Sequence, residues 1–335
     1  MRVLFTLALL CTLAITALGQ QRPQLSQYMQ NNFLINPAVA GIESYADVRS
    51  AFRNQWVGVE GAPVTFYTSI NLALNKPDRN TRSIKHFKKN GHKVKSGGGS
   101  NYRVAPHHGL GAVAKVDRAG LLNTSALNVN YAYHLPITRT LNLSSGIYSG
   151  FTQFHINRKN MVLQTTDDPF LNADDLNMMK LDLGVGLWLY SSSFFVGVSG
   201  AQLVHSGNDV YNVEDGPRGM MQPHYYVTGG YRLPISYNLD LTPSVMMKVA
   251  ANKQTAVDLN VKALYAQKVW GGVSYRHKDA AAVMAGVYLN HLVDVSYSYD
   301  FVTSEMSKAR ANSHEVMIGF KLNNPQKILC PQWVW

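Results

Sequence analysis

Several stretches of the chain group residue types that could do chemistry. In "FRNQWVGVEGAP", residues 52–63, Arg53, Gln55 and Trp56 precede Gly58, Gly61 and Pro63. That grouping suits either a catalytic or ligand-binding signature or the opening strand and turn of something structural. The tandem His107 and His108 could offer imidazole to a metal. Neighbours on an extended strand point to opposite faces, so at most one could enter any single site, and a satisfied or solvent-facing imidazole is the simpler reading. The acidic run "TTDDPFLNADDLN" holds Asp167, Asp168, Asp174 and Asp175, which could bind Ca²⁺. Its spacing does not match an EF-hand, and a solvated acidic loop is simpler. Nucleophile elbows, HExxH and CxxC patterns and phosphate loops are missing from usable contexts, and no Ser/His/Asp/Glu constellation can be placed. The chain is therefore expected to be a non-enzyme, with no catalytic residue, cofactor or metal.

The elements that would position these residues follow from composition and period. The 335 residues are 46% hydrophobic and only 15% charged, enough for one large β domain or two ordinary ones. The opening "MRVLFTLALLCTLAITALGQQ" has a basic Arg2, an apolar core from Val3 to Leu18 and a small-residue exit, which reads as a Sec signal peptide over 1–19. Cys11 lies inside that apolar core without the small residue that a lipoprotein site places before its Cys, so no lipid anchor is expected. Removal of the leader leaves Cys330, which cannot staple the chain internally and is read as a buried, inert thiol or an intermolecular contact. No later run approaches the roughly 18 to 20 apolar residues of a spanning helix. If the mature chain enters a membrane, strands must carry it.

From about Tyr45 onward, segments of roughly ten residues alternate with period two. In "LVDVSYSYDFV", Val293, Val295, Tyr297, Tyr299 and Phe301 share one face, and Asp294, Ser296, Ser298 and Asp300 the other. "LNVNYAYHL" sets Leu127, Val129, Tyr131, Tyr133 and Leu135 against Asn128, Asn130, Ala132 and His134. A water-soluble sandwich would also alternate. Strand length, Tyr near strand ends and few acids instead fit an all-β transmembrane antiparallel β-barrel of about 14 strands in the outer membrane, polar faces lining the lumen. Strand starts are expected near residues 46, 64, 106, 123, 140, 180, 193, 224, 239, 256, 268, 281, 293 and 314. On the first strand, "YADVRSAFRNQWVGV", the face carrying Asp47, Arg49, Ala51, Arg53, Gln55 and Val57 should line the lumen. "EGAP" then turns at the extracellular rim, with Gly61 permitting an unusual backbone and Pro63 opening the next strand.

Both ends of such a barrel lie in the periplasm, so the longer connections at 157–179, 205–223 and 303–313 would be extracellular. "LPIT", "YSSS" and "LPISYN" would be tight periplasmic turns. The exception is 75–105, a Lys/Arg-rich stretch that carries much of the +11 net charge and includes Lys88 and Lys89, with Asp78 as its single acid. It describes one basic periplasmic loop rather than a nucleic-acid-binding surface. The bland reading is a solvated insertion; the sharper one is a contact with an acidic periplasmic partner, peptidoglycan or lipid headgroups. Residues 20–44 precede the first strand and carry Tyr28, Phe33 and Leu34, which need somewhere to bury themselves; this segment should fold into or across the periplasmic mouth. Within it, Asn36 and Pro37 should block ladder pairing before the barrel, spanning 45–323, begins.

With the strands placed, "PQLSQYMQNNFLINPAVAG" at 23–41, "FRNQWVGVEGAPVTFY" at 52–67, "HHGLGA" at 107–112, "HYYVTGGYRL" at 224–233, "VSYSYDFVTS" at 295–304 and "SHEVMIGF" at 313–320 together resemble the PorP/SprF family of type IX secretion membrane proteins of Bacteroidetes. The resemblance implies an outer-membrane barrel acting with the type IX secretion and gliding apparatus. Its partners would be secretion machinery proteins, outer-membrane lipid and, for some members, type B C-terminal domains of secreted adhesins, with no nucleic acid. The matching positions are Asn36, Pro37, Gly41, Arg53, Gln55, Trp56, Gly58, Gly61, Pro63, Tyr299, Asp300, His314 and Glu315. Topology offers Tyr28, Phe33, Leu34, Lys88 and Lys89 as partner contacts, and the rival function is a porin or small-solute channel. The tail at 324–335, "KILCPQWVW" included, is similar to the family's Cys-Pro-aromatic ending, and either Trp335 or the strand ending near Phe320 would serve as the assembly signal.

Overall fold

A computed structural model describes residues 25–76, 105–138, 140–156, 177–204, 222–250, 255–277, 279–303, 312–324 and 327–331. The leader, Lys88 and Lys89, the acidic run from Asp167 to Asp175 and Trp335 lie outside the described residues. The strands are β1 (Ala46–Asn54), β2 (Val64–Leu74), β3 (His107–Ala119), β4 (Leu122–Pro136), β5 (Asn142–Ile156), β6 (Asn177–Tyr190), β7 (Phe194–Ala201), β8 (His224–Tyr231), β9 (Leu233–Ser236), β10 (Leu239–Ala250), β11 (Thr255–Tyr265), β12 (Val269–Arg276), β13 (Ala280–Tyr288), β14 (Val293–Val302) and β15 (Ser313–Leu322).

Period-two alternation makes these strands a wall with two chemistries. On β4, Leu127 and Val129 are 59% and 61% exposed, whereas Asn128 and Asn130 fall to 8% and 3%. An apolar outer face and a polar inner one is the arrangement a barrel needs in lipid. Strands pair antiparallel around the wall, β1 also pairs with β15, and β10 with β11 completes the ring. β8 and β9 both pair with β10 and are parted by Arg232, whose N–H still reaches Ser193 O at 2.6 Å. They form one interrupted strand, giving a closed 14-strand barrel. Among the described residues no helix is long and apolar enough to cross a membrane.

Two local expectations fail. β1 stops at Asn54, because Trp56 turns into the left-handed region (φ 53) and the following Gly58 and Gly61 do the same (φ 96 and 72); Val57 is exposed in a turn instead of facing the lumen. "LPISYN" is mostly not a turn: Leu233–Ser236 pair with β10, and only Tyr237 and Asn238 reverse the chain.

The lumen is filled by the chain's own lead-in. Residues 25–45 contribute to all four buried apolar clusters, through Phe33, Ala38, Val39, Ala40 and Ile42 in one, Tyr28 in a second, Met29 in a third, and Leu25 and Leu34 against the fourth. The segment is built of short 3-10 turns at Ser26–Gln30, Asn32–Leu34 and Pro37–Val39. It reaches further than the mouth. Ser26 bonds residues close to the ends of β1 and β14 and the start of β15, at the rim opposite the one where β1 begins; the chain then runs back through the lumen to Ala46.

The outer face yields a direct test. Val129 sits at the midpoint of β4, so Val129→Arg should destabilise the barrel by about 2–4 kcal/mol in urea titrations of folding into lipid vesicles. A change near zero would place this face away from lipid.

Candidate functional site

The site is the junction between the lead-in segment and the barrel wall. Its far end is a buried clasp. Arg53 donates from Nη2 to Asp300 Oδ2 (2.8 Å) and from Nη1 to Glu315 Oε2 (3.2 Å) and Ser26 Oγ (2.7 Å). The Ser26 hydroxyl in turn donates to Asp300. The backbone N–H of Ser26 donates to Glu315 Oε2 (2.8 Å), that of Gln27 to Oε1 (3.4 Å), and Gln27 Nε2 to Glu315 O (3.0 Å). Arg53, Asp300, Glu315, Ser26 and Gln27 are all buried. One guanidinium faces two carboxylates, so the amides of the lead-in supply donors that the wall lacks.

The middle is a docking step on Asn36 and Pro37. Asn36 caps the turn Pro37–Val39 by accepting from Ala38 N (3.0 Å), and Pro37 stands at its first position, where its missing N–H goes unmissed. The Asn36 amide also donates to Leu187 O (3.0 Å) and Val198 O (3.1 Å), tying the turn to β6 and β7. The pair therefore does more than stop ladder pairing. Ser144 Oγ donates to Ala38 O (2.7 Å) and Ser199 Oγ to Ile35 O (2.6 Å). Gly146 gives the turn its floor, since a Cβ there would stand 2.4 Å from Ala38 N.

At the near end Gly41 crosses Gly109. Gly41 has φ +76, and a Cβ on Gly109 would lie 1.9 Å from Ala40 O. His107 and His134 stack with ring centroids 4.3 Å apart and donate from Nε2 to Gly41 O (3.1 Å) and Ala40 O (2.7 Å). His108 points outward to Tyr131 OH (2.7 Å), so the tandem histidines do part to opposite faces. A second buried ion cluster lies on the same side: Arg49 meets Asp47 at 2.9 Å and Asp294 at 3.5 Å, with Lys321 at 3.9 Å from Asp294.

The positions singled out from sequence separate into groups. Asn36, Pro37, Gly41, Arg53, Asp300 and Glu315 meet the lead-in. Gln55, Trp56, Gly58, Gly61 and Pro63 form the far-rim turn, closed by Gln55 N to Pro63 O (2.9 Å) and by Trp56 N to Ser313 Oγ (3.2 Å). Tyr299 and His314 lie on the outer face of the wall, in edge contact at 4.9 Å, with Tyr299 OH accepting from Asn312 (2.7 Å). Tyr28 and Phe33 are buried and Leu34 is half-buried, and as folded they anchor the lead-in within the lumen. Burial pushes the Tyr28 phenol well above its usual range and keeps it protonated, accepting from Asn260 Nδ2 (2.6 Å). Cys330 packs beside Met29, Leu264, Trp270, Met284 and Tyr288, and burial pushes its thiol up, as suits an inert residue. Ser26, Gln27, Ser144 and the glycine floor were not anticipated. Glycine at inward-facing positions, as at Gly109 and Gly146, was the available signal.

Residues 17–320 match the family described as type IX secretion system membrane protein PorP/SprF. The chain belongs to the PorP/SprF family. This PorP/SprF protein is thus an outer-membrane β-barrel of the type IX secretion system. Its fold is similar to that of the toluene transporter TbuX of Ralstonia pickettii (TM-score 0.50, 10% identity, 87% of this chain and 93% of that one). It is equally similar to the CymD monoaromatic hydrocarbon channel (TM-score 0.50, 12% identity, 91% and 95%). At such identities the likeness concerns fold alone. No curated protein matches the chain.

Removing one partner of a buried ion cluster costs about 3–5 kcal/mol, because the remaining charge is left uncompensated. Arg53→Ala should therefore loosen the lead-in from its far end. Limited proteolysis of the folded barrel is expected to cut within residues 25–45 in the variant and not in the parent. Equal resistance in both would show that Arg53 does not hold the segment.

Proposed function

We propose that this PorP/SprF protein is a non-enzymatic interaction barrel. It binds type IX secretion machinery proteins, the C-terminal domains of secreted adhesins, or both, and so supports export or surface retention. The observation that carries this reading is the lumen: residues 25–45 fill it and are bonded to the wall at both ends, which suits a platform better than an open solute pore.

Contacts with exported cargo would fall on the far-rim loops 157–179, 205–223 and 303–313, almost all of which lie outside the described residues. Contacts with the periplasmic apparatus would fall on the opposite rim, where the basic stretch 75–105 is rooted between β2 and β3. Its Lys88 and Lys89 would meet an acidic surface.

Affinity purification of the intact protein in mild detergent, followed by identification of what accompanies it, tests the proposal. Type IX components or adhesin C-terminal domains should co-purify, and shortening the far-rim loops should remove the adhesins selectively. Recovery of no such partner, together with steady open-pore conductance in planar bilayers, would favour a small-solute channel.

A further inference from the structure

The outer face of the wall carries the same arrangement of one histidine and two tyrosines twice, once at each rim. At the rim where β1 begins, His108 is the second residue of β3 and stands directly opposite Tyr133 on β4, with ring centroids 5.3 Å apart. Its Nδ1 meets the hydroxyl of the diagonal Tyr131 at 2.7 Å. At the far rim His314 is the second residue of β15 and stands opposite Tyr299 on β14, with ring centroids 4.9 Å apart, and its Nδ1 meets the hydroxyl of the diagonal Tyr297 at 2.5 Å. In both places the diagonal tyrosine is exposed, at 40% and 44%, and the histidine and the opposite tyrosine are half-buried. A half-turn about the outward normal of the wall carries one arrangement onto the other, so the two face the two membrane interfaces in equivalent orientation.

Tyrosine near a strand end is ordinary in an outer-membrane barrel, whose aromatic girdles sit at headgroup depth. Histidine there adds a directed donor. Among the described residues the Tyr131 and Tyr297 hydroxyls have no acceptor other than the imidazole, so each phenol donates to Nδ1 and the neutral ring carries its proton on Nε2. Neither Nε2–H has an acceptor among the described residues. At the far rim the Tyr299 hydroxyl already accepts from Asn312 (2.7 Å), which leaves its own proton free to donate. The acids beside this pair in sequence, Asp300 and Glu315, turn into the lumen and leave the outward donors uncontested. Each arrangement thus presents two donors from adjoining rings to the lipid side.

A donor without an acceptor is costly at the edge of the hydrocarbon, and the strong acceptor at that depth is the phosphate of a lipid headgroup. A phosphodiester has two free oxygens to accept from neighbouring donors, and the acyl chains below it would lie along the exposed apolar residues next on each strand, Leu110 in one place and Val316 in the other. We propose that His108 with Tyr133, and His314 with Tyr299, are lipid-headgroup sites, one at each interface, each binding a phosphate through the imidazole Nε2–H and the tyrosine hydroxyl. Tyr131 and Tyr297 are positioning residues that fix the tautomer and tilt of the imidazole. The two sites set the height of the barrel in the membrane from both sides, whichever proteins the rims engage.

The test is side-chain NMR of the full-length protein, isotope-labelled at histidine and held in a maltoside detergent. It is titrated separately with dihexanoylphosphatidylglycerol, dihexanoylglycerol and inorganic phosphate. Two imidazole Nε2 signals, identified by His108→Phe and His314→Phe, should move saturably with the phospholipid. The lipid without a headgroup should move neither, and inorganic phosphate should act about tenfold or more weakly, because it lacks chains to pack on the wall. Tyr297→Phe, checked for unchanged heat-modifiable gel mobility, should weaken the His314 response about threefold or more and leave the His108 response as it was. The proposal is overturned if neither signal moves (solvated rings only), if both lipids act alike (apolar contact only), if inorganic phosphate matches the phospholipid (an adventitious ion only), or if Tyr297→Phe changes nothing. On the unaltered protein the comparison of the three ligands needs no variant to fold.

Discussion

The lumen is organised around a buried carboxylate that its own wall does not satisfy. Glu315 and Asp300 share the single guanidinium of Arg53, and the remaining donors to Glu315 are the backbone amides of Ser26 and Gln27. Withdrawing the lead-in segment would take away the Ser26 and Gln27 donors and leave Glu315 with only its share of the Arg53 guanidinium. The wall and the segment are therefore mutually dependent: the wall positions the charge, and the segment completes its shell. This dependence gives Arg53, one of the matching motif positions, a structural role at the junction.

A steric constraint runs alongside the electrostatic one. Backbone can lie flat against a strand only where inward side chains are small, and Gly109 and Gly146 open those places under Ala40 and Ala38. Asn36 then fixes depth by bonding two carbonyls of the wall, and the stacked His107 and His134 cap the carbonyls of Gly41 and Ala40. Polar anchoring at three levels, with apolar clusters between them, replaces the regular hydrogen bonding that a lead-in made of 3-10 turns cannot provide for itself.

The barrel was largely legible because its signal is local. Alternation in stretches such as 293–302 and 127–135 gives both the strand and the face, and Asp294, Asn128 and Asn130 do turn inward. Arg53 could be assigned to the lumen on the same ground. Its partners could not be paired with it from spacing, since Asp300 and Glu315 are 247 and 262 residues away and meet it only once β15 closes on β1. The depth of the lead-in was hidden for another reason: short 3-10 turns carry no usable hydrophobic period. "LPISYN" misled because Pro and Asn mark turns locally, whereas pairing with β10 extends the strand through Ser236.

The central claim is that the lead-in is an integral part of the folded barrel, held by its own amides. Hydrogen exchange on the unaltered protein in lipid bilayers tests it most directly at Ser26 and Gln27, whose N–H groups close the shell of Glu315. Protection comparable to that of amides in β1 and β15 is expected. Exchange at the rate of an unstructured chain, with the strands still protected, would contradict it.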